Sequence, residues 1–435
     1  MHNQSGSLCM QPAADGGAHP LRSAGNQYHF SLHIRLLQSA AKLWPVSLTT
    51  FAIYHKEIYL LMSLHATLPP ASEIALAHSH AVQTLIRDKI HAAGGWIPFE
   101  QFMNLALYTP GMGYYSSGAT KLGSAGDFVT APEISSLFAR TVAQQVLQIS
   151  RQIKHADILE FGAGSGRLAL DILLELEKSD ALPGKYFILE VSAELRQRQQ
   201  TLFTDKAPHL VHLIEWLEQL PAQFTGTILA NEVLDAMPVH IVKWHNDKLS
   251  ERGVTWQSNQ FAWQDRPINL AELTHITSQL TPQINPENLL PYSYVSEINL
   301  TAGHFMRSLA SILQQGVILL IDYGFGRSEY YHPQRNQGTL MCHYRHYAHD
   351  DPFYLPGLQD ITSHVDFSAI TQAAEDSGLP LLGYTTQAYF LINCGITAIL
   401  AQTPAEDTSS FLPQSSQLQK LISPAEMGEL FKVIA

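Results

Sequence analysis

The chain has 435 residues, 46% hydrophobic and 15% charged, which suffices for a sizeable core in two or three lobes of roughly 100–200 residues each. A net charge of −12 argues against a general binder of nucleic acid or anionic membrane, though not against a local basic patch. Cys9, Cys342 and Cys394 form no C-x-x-C pair, which speaks against a disulfide framework or structural zinc and fits a reducing compartment.

Residues 1–61 hold Gly, Ser, His and Gln without clear periodicity. No acidic residue lies between Asp15 and Glu57, whereas Arg22, Arg35, Lys42 and Lys56 do. This suits a mitochondrial transit segment, or upstream sequence ahead of a start at Met62; the sparse basic residues favour the second. The most apolar stretch there, "WPVSLTTFAIYHKEIYLLM", is broken by His55, Lys56 and Glu57, so no transmembrane helix is expected.

From Ser72 the pattern becomes regular. "SEIALAHSHAVQTLIRDKIHAAGG" predicts a helix capped by Ser72 and ended by Gly94-Gly95. "IPFEQFMNLALYTPGMGYYSSG" predicts a short helix and a turn-rich loop. In "GDFVTAPEISSLFARTVAQQVLQIS", Pro132 and Glu133 open a helix with Thr130 as its cap. "DILEFGAGSGRLALDILLELEKS" then reads strand, glycine turn, helix, and "KYFILEVSAELRQRQQTLF" repeats that order. Further strands are expected in "HLVHLIEWLEQL", "GTILANEVLDAMP" and "GVILLIDYGFG". Apolar strands alternating with helices imply a parallel α/β sheet covered on both faces, with ligands beyond the carboxyl ends of the strands. Between the fourth and fifth strands, "VHIVKWHNDKLSERGVTWQSNQFAWQ" alternates like antiparallel β. "HYRHYAHDDPFYLPGLQDITSHVDF" reads as a second insertion. The expected division is an extension (1–61), an N-terminal helical segment (62–150), a first core part (151–238), an inserted α+β substrate or partner lobe (239–315), and strand five with C-terminal substrate-lobe elements (316–435).

The strongest local signal is Glu160 followed by Gly162, Gly164 and Gly166. Such glycines let the chain turn tightly and let a ligand approach the backbone. A dinucleotide fold wants G-x-G-x-x-G, but Arg167 stands where its third glycine belongs. An acid two residues before G-x-G-x-G suits S-adenosylmethionine, whose amino group gains from a carboxylate. A nucleotide or a purely structural turn remains open on this motif alone. Glu190 ends the second strand, where a carboxylate can take both ribose hydroxyls or simply be solvated. Trp216 and Leu217 follow the third strand; they either flank an adenine or belong to the core. Asn231 and Glu232 end the fourth strand and border the methyl donor, unless they are a cap and a solvated acid. Asp322 ends the fifth, as a site acid or a structural cap. His343, His346, His349 and His364 cluster with acids, but without metal-ligand spacing, so no metal is expected.

Taken together, "PGMGYYSSG", "GDFVTAPEIS", "EFGAGSG", "LEVSAELR", "LANEVLDAMPVH", "IDYGFG", "PGLQDITSHVDF" and "EMGELFKVIA" resemble the MidA-like class I methyltransferases from about Gly94 to the C-terminus. The mitochondrial branch of that family methylates an arginine on a respiratory complex I subunit and is needed for assembly of the complex. The resemblance implies a Rossmann-like sheet and S-adenosyl-L-methionine as donor. It implies that Gly162, Gly164 and Gly166 line the methionine part and that Glu190 meets the ribose. Asn231 and Glu232 would face methyl and acceptor, while Gly126, Asp127, Pro132 and Glu133 would shape the pocket edge. Asp360 to Phe367 would help form the substrate lobe. The family often has a proline in the glycine motif, where this chain has Ala163 and Ser165. Glu232 is the first choice to hold a guanidinium, ahead of Asp235 and Asp322. Partners expected are a protein substrate, neither nucleic acid nor membrane insertion, and a homodimer through the large insertion. The location is cytoplasmic for a bacterial chain and the mitochondrial matrix for a eukaryotic one. Competing readings are a non-catalytic assembly factor and a nicotinamide-dependent oxidoreductase, the latter disfavoured by Arg167.

Overall fold

Ser72 accepts a hydrogen bond from the Ala75 amide at 3.3 Å and so caps the first helix, α1 (Glu73–Ala92). The computed structural model describes residues 68–117, 130–246, 248–284 and 293–435. The extension 1–61, and Gly126 and Asp127, lie outside the described residues. After α1 come β1 (Ile97–Pro98) and α2 (Phe99–Tyr108). The next helix is not continuous, as the sequence suggests, but two. A single turn, α3 (Ala131–Ile134), is followed by α4 (Ser136–Ser150). Thr130 makes no side-chain cap; Ser135, in extended conformation, breaks the run and its hydroxyl caps α4 through the Leu137 amide.

The chain then alternates as β2 (Asp157–Phe161), α5 (Arg167–Glu177), β3 (Tyr186–Leu189), α6 (Ala193–Lys206), β4 (Ile214–Leu217) and β5 (Phe224–Asn231). The third predicted strand is shorter than its apolar run. Residues Pro208–Leu213 form a 3-10 helix that opens on its proline, and pairing starts only at Ile214. Next come β6 (His240–His245), β7 (Lys248–Gln257), β8 (Gln260–Arg266), α7 (Ala271–Ile284), β9 (Ser293–Ile298), α8 (Leu300–Ile312) and β10 (Leu313–Phe325). The C-terminal part adds α9 (Arg327–Tyr330), β11 (Met341–Tyr344), β12 (Tyr347–His349), β13 (Asp360–Thr362), β14 (Val365–Asp366), α10 (Phe367–Asp376), β15 (Tyr384–Thr386), α11 (Gln387–Asn393), α12 (Ile396–Leu400), α13 (Thr408–Ile422) and β16 (Phe431–Ile434).

The main sheet runs β15-β16-β10-β5-β2-β3-β4. Strands β4, β3, β2, β5 and β10 are parallel, and β16 enters antiparallel beside β10. Side chains alternate across it. Ile158, Leu229, Leu319 and Ile321 pack with α4, α5 and the C-terminal helices, whereas Leu159, Ile228, Ala230 and Leu320 pack with α8 and α10. The helix α8, assigned from sequence to the inserted lobe, therefore covers the parallel sheet. A second sheet, β1-β7-β6-β9 with β8 on β7, carries the insertion. Its core joins α1, α2 and β1 to Val239, Val254, Cys342 and Ile361, so the N-terminal segment and both insertions share one apolar cluster. Among the described residues no helix is long and apolar enough to cross a membrane.

Gly226 sits where β2, β5 and β10 meet, with φ +137°. A Cβ there would lie 2.0 Å from the Asp157 carbonyl oxygen. Gly226→Ala is expected to lose about 2–4 kcal/mol of unfolding free energy in urea, from backbone strain and overpacking. Gly303→Ala in α8, where the nearest atom would be Arg307 Nη1 at 3.7 Å, should be neutral or stabilising by about 0.5–1 kcal/mol. Equal effects at both positions would contradict this account of the sheet.

Candidate active site

The chain moves outward from β2 in opposite directions, through β3 and β4 on one side and β5 and β10 on the other. The carboxyl ends of β2 and β5 therefore form the crevice where such sheets bind ligands. The turn after β2 places Gly162, Gly164 and Gly166 at φ +61°, +56° and +85°, values that L side chains rarely adopt. Ser165 donates its hydroxyl to Glu133, and Arg167 lies 3.9 Å from that carboxylate, so α3 is latched to the glycine turn.

Two acids lie on the β2–β3 side of the crevice. Glu160 is buried and accepts the Tyr186 hydroxyl at 2.6 Å; burial pushes its carboxyl up to about 7. Glu190 is buried just beyond β3 and accepts the Ser192 amide at 3.0 Å and the Gln199 amide at 3.2 Å. Gln199 also donates to the Gly164 carbonyl at 2.9 Å and accepts from the Trp216 indole at 2.9 Å. Trp216 is thus drawn toward the glycine turn while packing against the core; the Leu217 carbonyl accepts from Arg196 at 3.0 Å. Sequence reasoning missed Gln199, since nothing in "LRQRQQ" separates it from its neighbours.

The other side of the crevice is built on the loop after β5. Asn231 donates to Glu232 at 3.2 Å, and the Ala131 amide of α3 reaches the same oxygen at 3.4 Å. Glu232 stands at φ +54°, a strained setting for a non-glycine residue. Burial first, and then the charge of Asp235, push its carboxyl up to about 8. Asp235, 6% exposed, accepts the Tyr323 hydroxyl at 2.5 Å and is pushed up to about 6 by burial. Tyr108 donates to the Ala236 carbonyl at 2.9 Å and stacks on Tyr115, ring centres 5.4 Å apart. Tyr115 in turn donates to Asp360 at 2.8 Å. Asp360 adds to the upward push on Glu232.

For Asp322 the sequence left two readings, a site acid or a structural cap. It is 0% exposed, and its Oδ2 accepts the amides of Val233, Leu234 and Asp235 at 3.1, 2.9 and 3.2 Å. Its Oδ1 accepts the Tyr323 amide at 2.8 Å. Burial and the charges of Asp235 and Glu232 push this carboxyl upward, against the pull of those donors. Both of its oxygens are thus turned to backbone amides, and it caps the loop after β5. Among the described residues no group of three or more His, Cys, Asp or Glu is placed to hold an ion. His364 lies against the rings of Tyr323 and Phe325, and burial holds it down at about 3.

A parallel sheet in this order with one antiparallel strand set between β10 and β15, a glycine turn after the first strand and an acid after the second, define a class I S-adenosyl-L-methionine-dependent methyltransferase. Residues 137–385, more than half of the chain, match the family model described as "Putative S-adenosyl-L-methionine-dependent methyltransferase", and the chain belongs to that family. It is similar to a protein from Burkholderia thailandensis whose crystal structure holds S-adenosyl-homocysteine. The two are 47% identical, over 85% of this chain and 94% of that one, with a TM-score of 0.80. Relatives named "Protein arginine methyltransferase NDUFAF7, mitochondrial" from Danio rerio and its homolog from Drosophila melanogaster are 27% and 29% identical. They cover 80% and 84% of this chain, and 84% and 87% of their own lengths.

The residues present fit S-adenosyl-L-methionine. The glycine turn offers a backbone cradle, Glu160 and Glu190 offer carboxylates, and Asn231 Oδ1 is buried without a hydrogen-bond partner among the described residues.

The raised acids carry a stability signature. The unfolded Glu232 ionises near its ordinary 4.5, the folded one near 8, so the folded state binds more protons in between. Stability contributed by this site is present below about 4.5 and falls as pH rises toward 8. Glu232→Gln should remove that loss. Its unfolding free energy without ligand is expected to gain on wild type by about 1–2 kcal/mol between pH 5 and pH 8, allowing for partial exposure. Parallel pH profiles would show that the Glu232 carboxyl is not desolvated.

Proposed function

We propose that the chain is a protein-arginine N-methyltransferase whose acceptor is a respiratory complex I subunit or a similar protein. The observation that carries this is the acid pair Glu232 and Asp235 beside the methyl-donor crevice. Among the described residues neither forms an ion pair, and both hold their protons more tightly than ordinary carboxyls. A guanidinium supplies the missing countercharge and matches a carboxylate in a bidentate way. The names of the mitochondrial relatives point to the same acceptor class.

S-adenosyl-L-methionine supplies a methyl already activated on a sulfonium. The chain's own residues then align and deprotonate. Glu232 orients one ω-nitrogen of the arginine toward the methyl, which is where proximity acts. As the N–C bond forms, the C–S bond breaks with its electron pair on sulfur, and the nitrogen's proton passes to the Glu232 carboxylate. A carboxyl poised near 8 is a better proton acceptor than an ordinary one. Asn231 Oδ1 faces the donor as acceptor for an N–H group, and Asp322 holds the loop that carries Glu232 and Asp235. Tyr108, Tyr115 and Asp360 form the wall along which the arginine's stem enters.

The 47% identity to a bacterial protein, against 27–29% to mitochondrial ones, supports a bacterial cytoplasmic setting.

Glu232→Gln is expected to keep S-adenosyl-homocysteine affinity within about threefold in calorimetry while methyl transfer falls at least about 100-fold. Transfer is read as tritiated methyl incorporated into a complex I subunit, with methylarginine identified by mass spectrometry. Normal turnover in the variant would remove Glu232 from the chemistry. Donor binding with no methylated product in the wild type would favour a non-catalytic assembly factor.

A further inference from the structure

We infer that Gln199 is a positioning residue for the donor, a single side chain that fixes the ribose acid, the glycine turn and Trp216 in one geometry. The inference rests on the reading of Glu190 as the ribose-binding carboxylate. Gln199 lies on α6 and is 0% exposed. Its Nε2 donates to the Gly164 carbonyl at 2.9 Å and to Glu190 Oε2 at 3.2 Å, and its Oε1 accepts the Trp216 indole N–H at 2.9 Å. Two acceptors at one end and a donor at the other permit only one orientation of the amide. The stem closes the same space from below: a Cβ on Gly166 would lie 3.1 Å from Gln199 Cγ.

The three groups it joins stand at the ends of three neighbouring strands. Gly164 follows β2, Glu190 follows β3, and Trp216 lies in β4. None of these strand ends is covalently tied to another, and each could tilt within its own loop. The amide removes that freedom. With the Ser192 amide on Glu190 Oε1 at 3.0 Å, each carboxylate oxygen has a fixed donor, and the plane of the carboxylate is set relative to the glycine turn. A buried polar network of this kind is favourable only when its members are paired, so loss of one member is felt by the others. The side chain must also be neutral. A carboxylate in its place would meet Glu190 and the Gly164 carbonyl with no proton to give, whereas a leucine would fill the volume and leave the indole N–H unpaired.

The test uses the full chain, with S-adenosyl-homocysteine as probe and calorimetry as readout, on Gln199→Leu, Glu190→Gln and the double variant. Unfolding midpoints are recorded alongside. Gln199→Leu is expected to raise the Kd at least about tenfold. Glu190→Gln should raise it by a similar factor, and the double variant should be no more than about threefold weaker than the weaker single, because both act on one contact. A second readout separates positioning from bulk stability. The preference for 5′-methylthioadenosine over its 2′-deoxy form should collapse in both single variants. If Gln199→Leu does not fold, Gln199→Glu keeps the shape and the indole acceptor and carries the same expectation. Wild-type affinity in either Gln199 variant, or fully additive losses with the ribose preference intact, overturns the inference. If Glu190→Gln alone keeps wild-type affinity, the reading of Glu190 fails and the inference falls with it; weakening by Glu190→Gln with none by Gln199→Leu sinks only the inference.

Discussion

Four backbone N–H groups converge on the carboxylate of Asp322, and the loop bearing the acceptor-side acids hangs from them. The arrangement begins in the sheet. Strand β10 pairs with β5 through Ile321 and Asn231, and the Glu232 amide still reaches the Ile321 carbonyl at 2.9 Å. One residue later the chain must leave the sheet, and its next three amides would be buried without partners. Asp322 collects them, at a saving of about 1–3 kcal/mol for each donor that would otherwise be orphaned. The loop's carbonyls are bound from other directions: Asn299 holds Leu234, Ser363 holds Asp235 and Tyr108 holds Ala236. Held on both its N–H and C=O sides, the loop can keep Glu232 at a positive φ that the residue alone would not choose.

The use of backbone amides rather than cations to hold these acids has a consequence for function. An arginine or lysine would have stabilised Asp322 equally well, but would also have neutralised Glu232 and Asp235. Neutral N–H dipoles fix the geometry and leave the charge of the neighbours uncompensated. The fold therefore carries two carboxyls, at about 8 and about 6, that gain from the arrival of a cation. Perturbed acids in a crevice are a functional signature for this reason, since the stability they forgo is recovered on binding. Asp322 itself shows why the signature needs geometry beside it: its carboxyl is pushed upward too, yet its oxygens are turned to the backbone.

What could be read from the sequence was whatever is local. The Ser72 cap, the glycine turn and the apolar strands at Asp157–Phe161 and Phe224–Asn231 each follow from a short window, and each is where the periodicity put it. The break at Ser135 was not legible, because an apolar helical pattern runs through it and only the extended backbone shows the stop. Strands β15 and β16 are three and four residues long, too short for alternation to register, yet they extend the sheet beyond β10. The site divides in the same way. Glu160, Glu190, Asn231 and Glu232 stand at strand ends and could be named in advance. Gln199 is one of several glutamines on a helix, and its role exists only once β3 and β4 lie beside each other.

The two halves of the site also differ in how much chain they require. The side around the glycine turn is assembled from consecutive strand-turn-helix units, within the span from Asp157 to Leu217. The side around Glu232 draws Tyr108 and Tyr115 from the N-terminal segment, Asp235 from the loop after β5, Tyr323 from β10 and Asp360 from β13. Tyr115 and Asp360, 245 positions apart, meet because α2 and β13 are buried in one apolar cluster with the inserted sheet. A contact of such separation closes a long loop, whose entropy cost the shared apolar cluster must offset. The Tyr115–Asp360 contact therefore depends on the whole fold, whereas the glycine turn lies within one strand-turn-helix unit. The physical link between them is short: α3 sends the Ala131 amide to Glu232 and receives Ser165 on Glu133. Four residues thus bridge the Glu232 carboxyl to the glycine turn through α3.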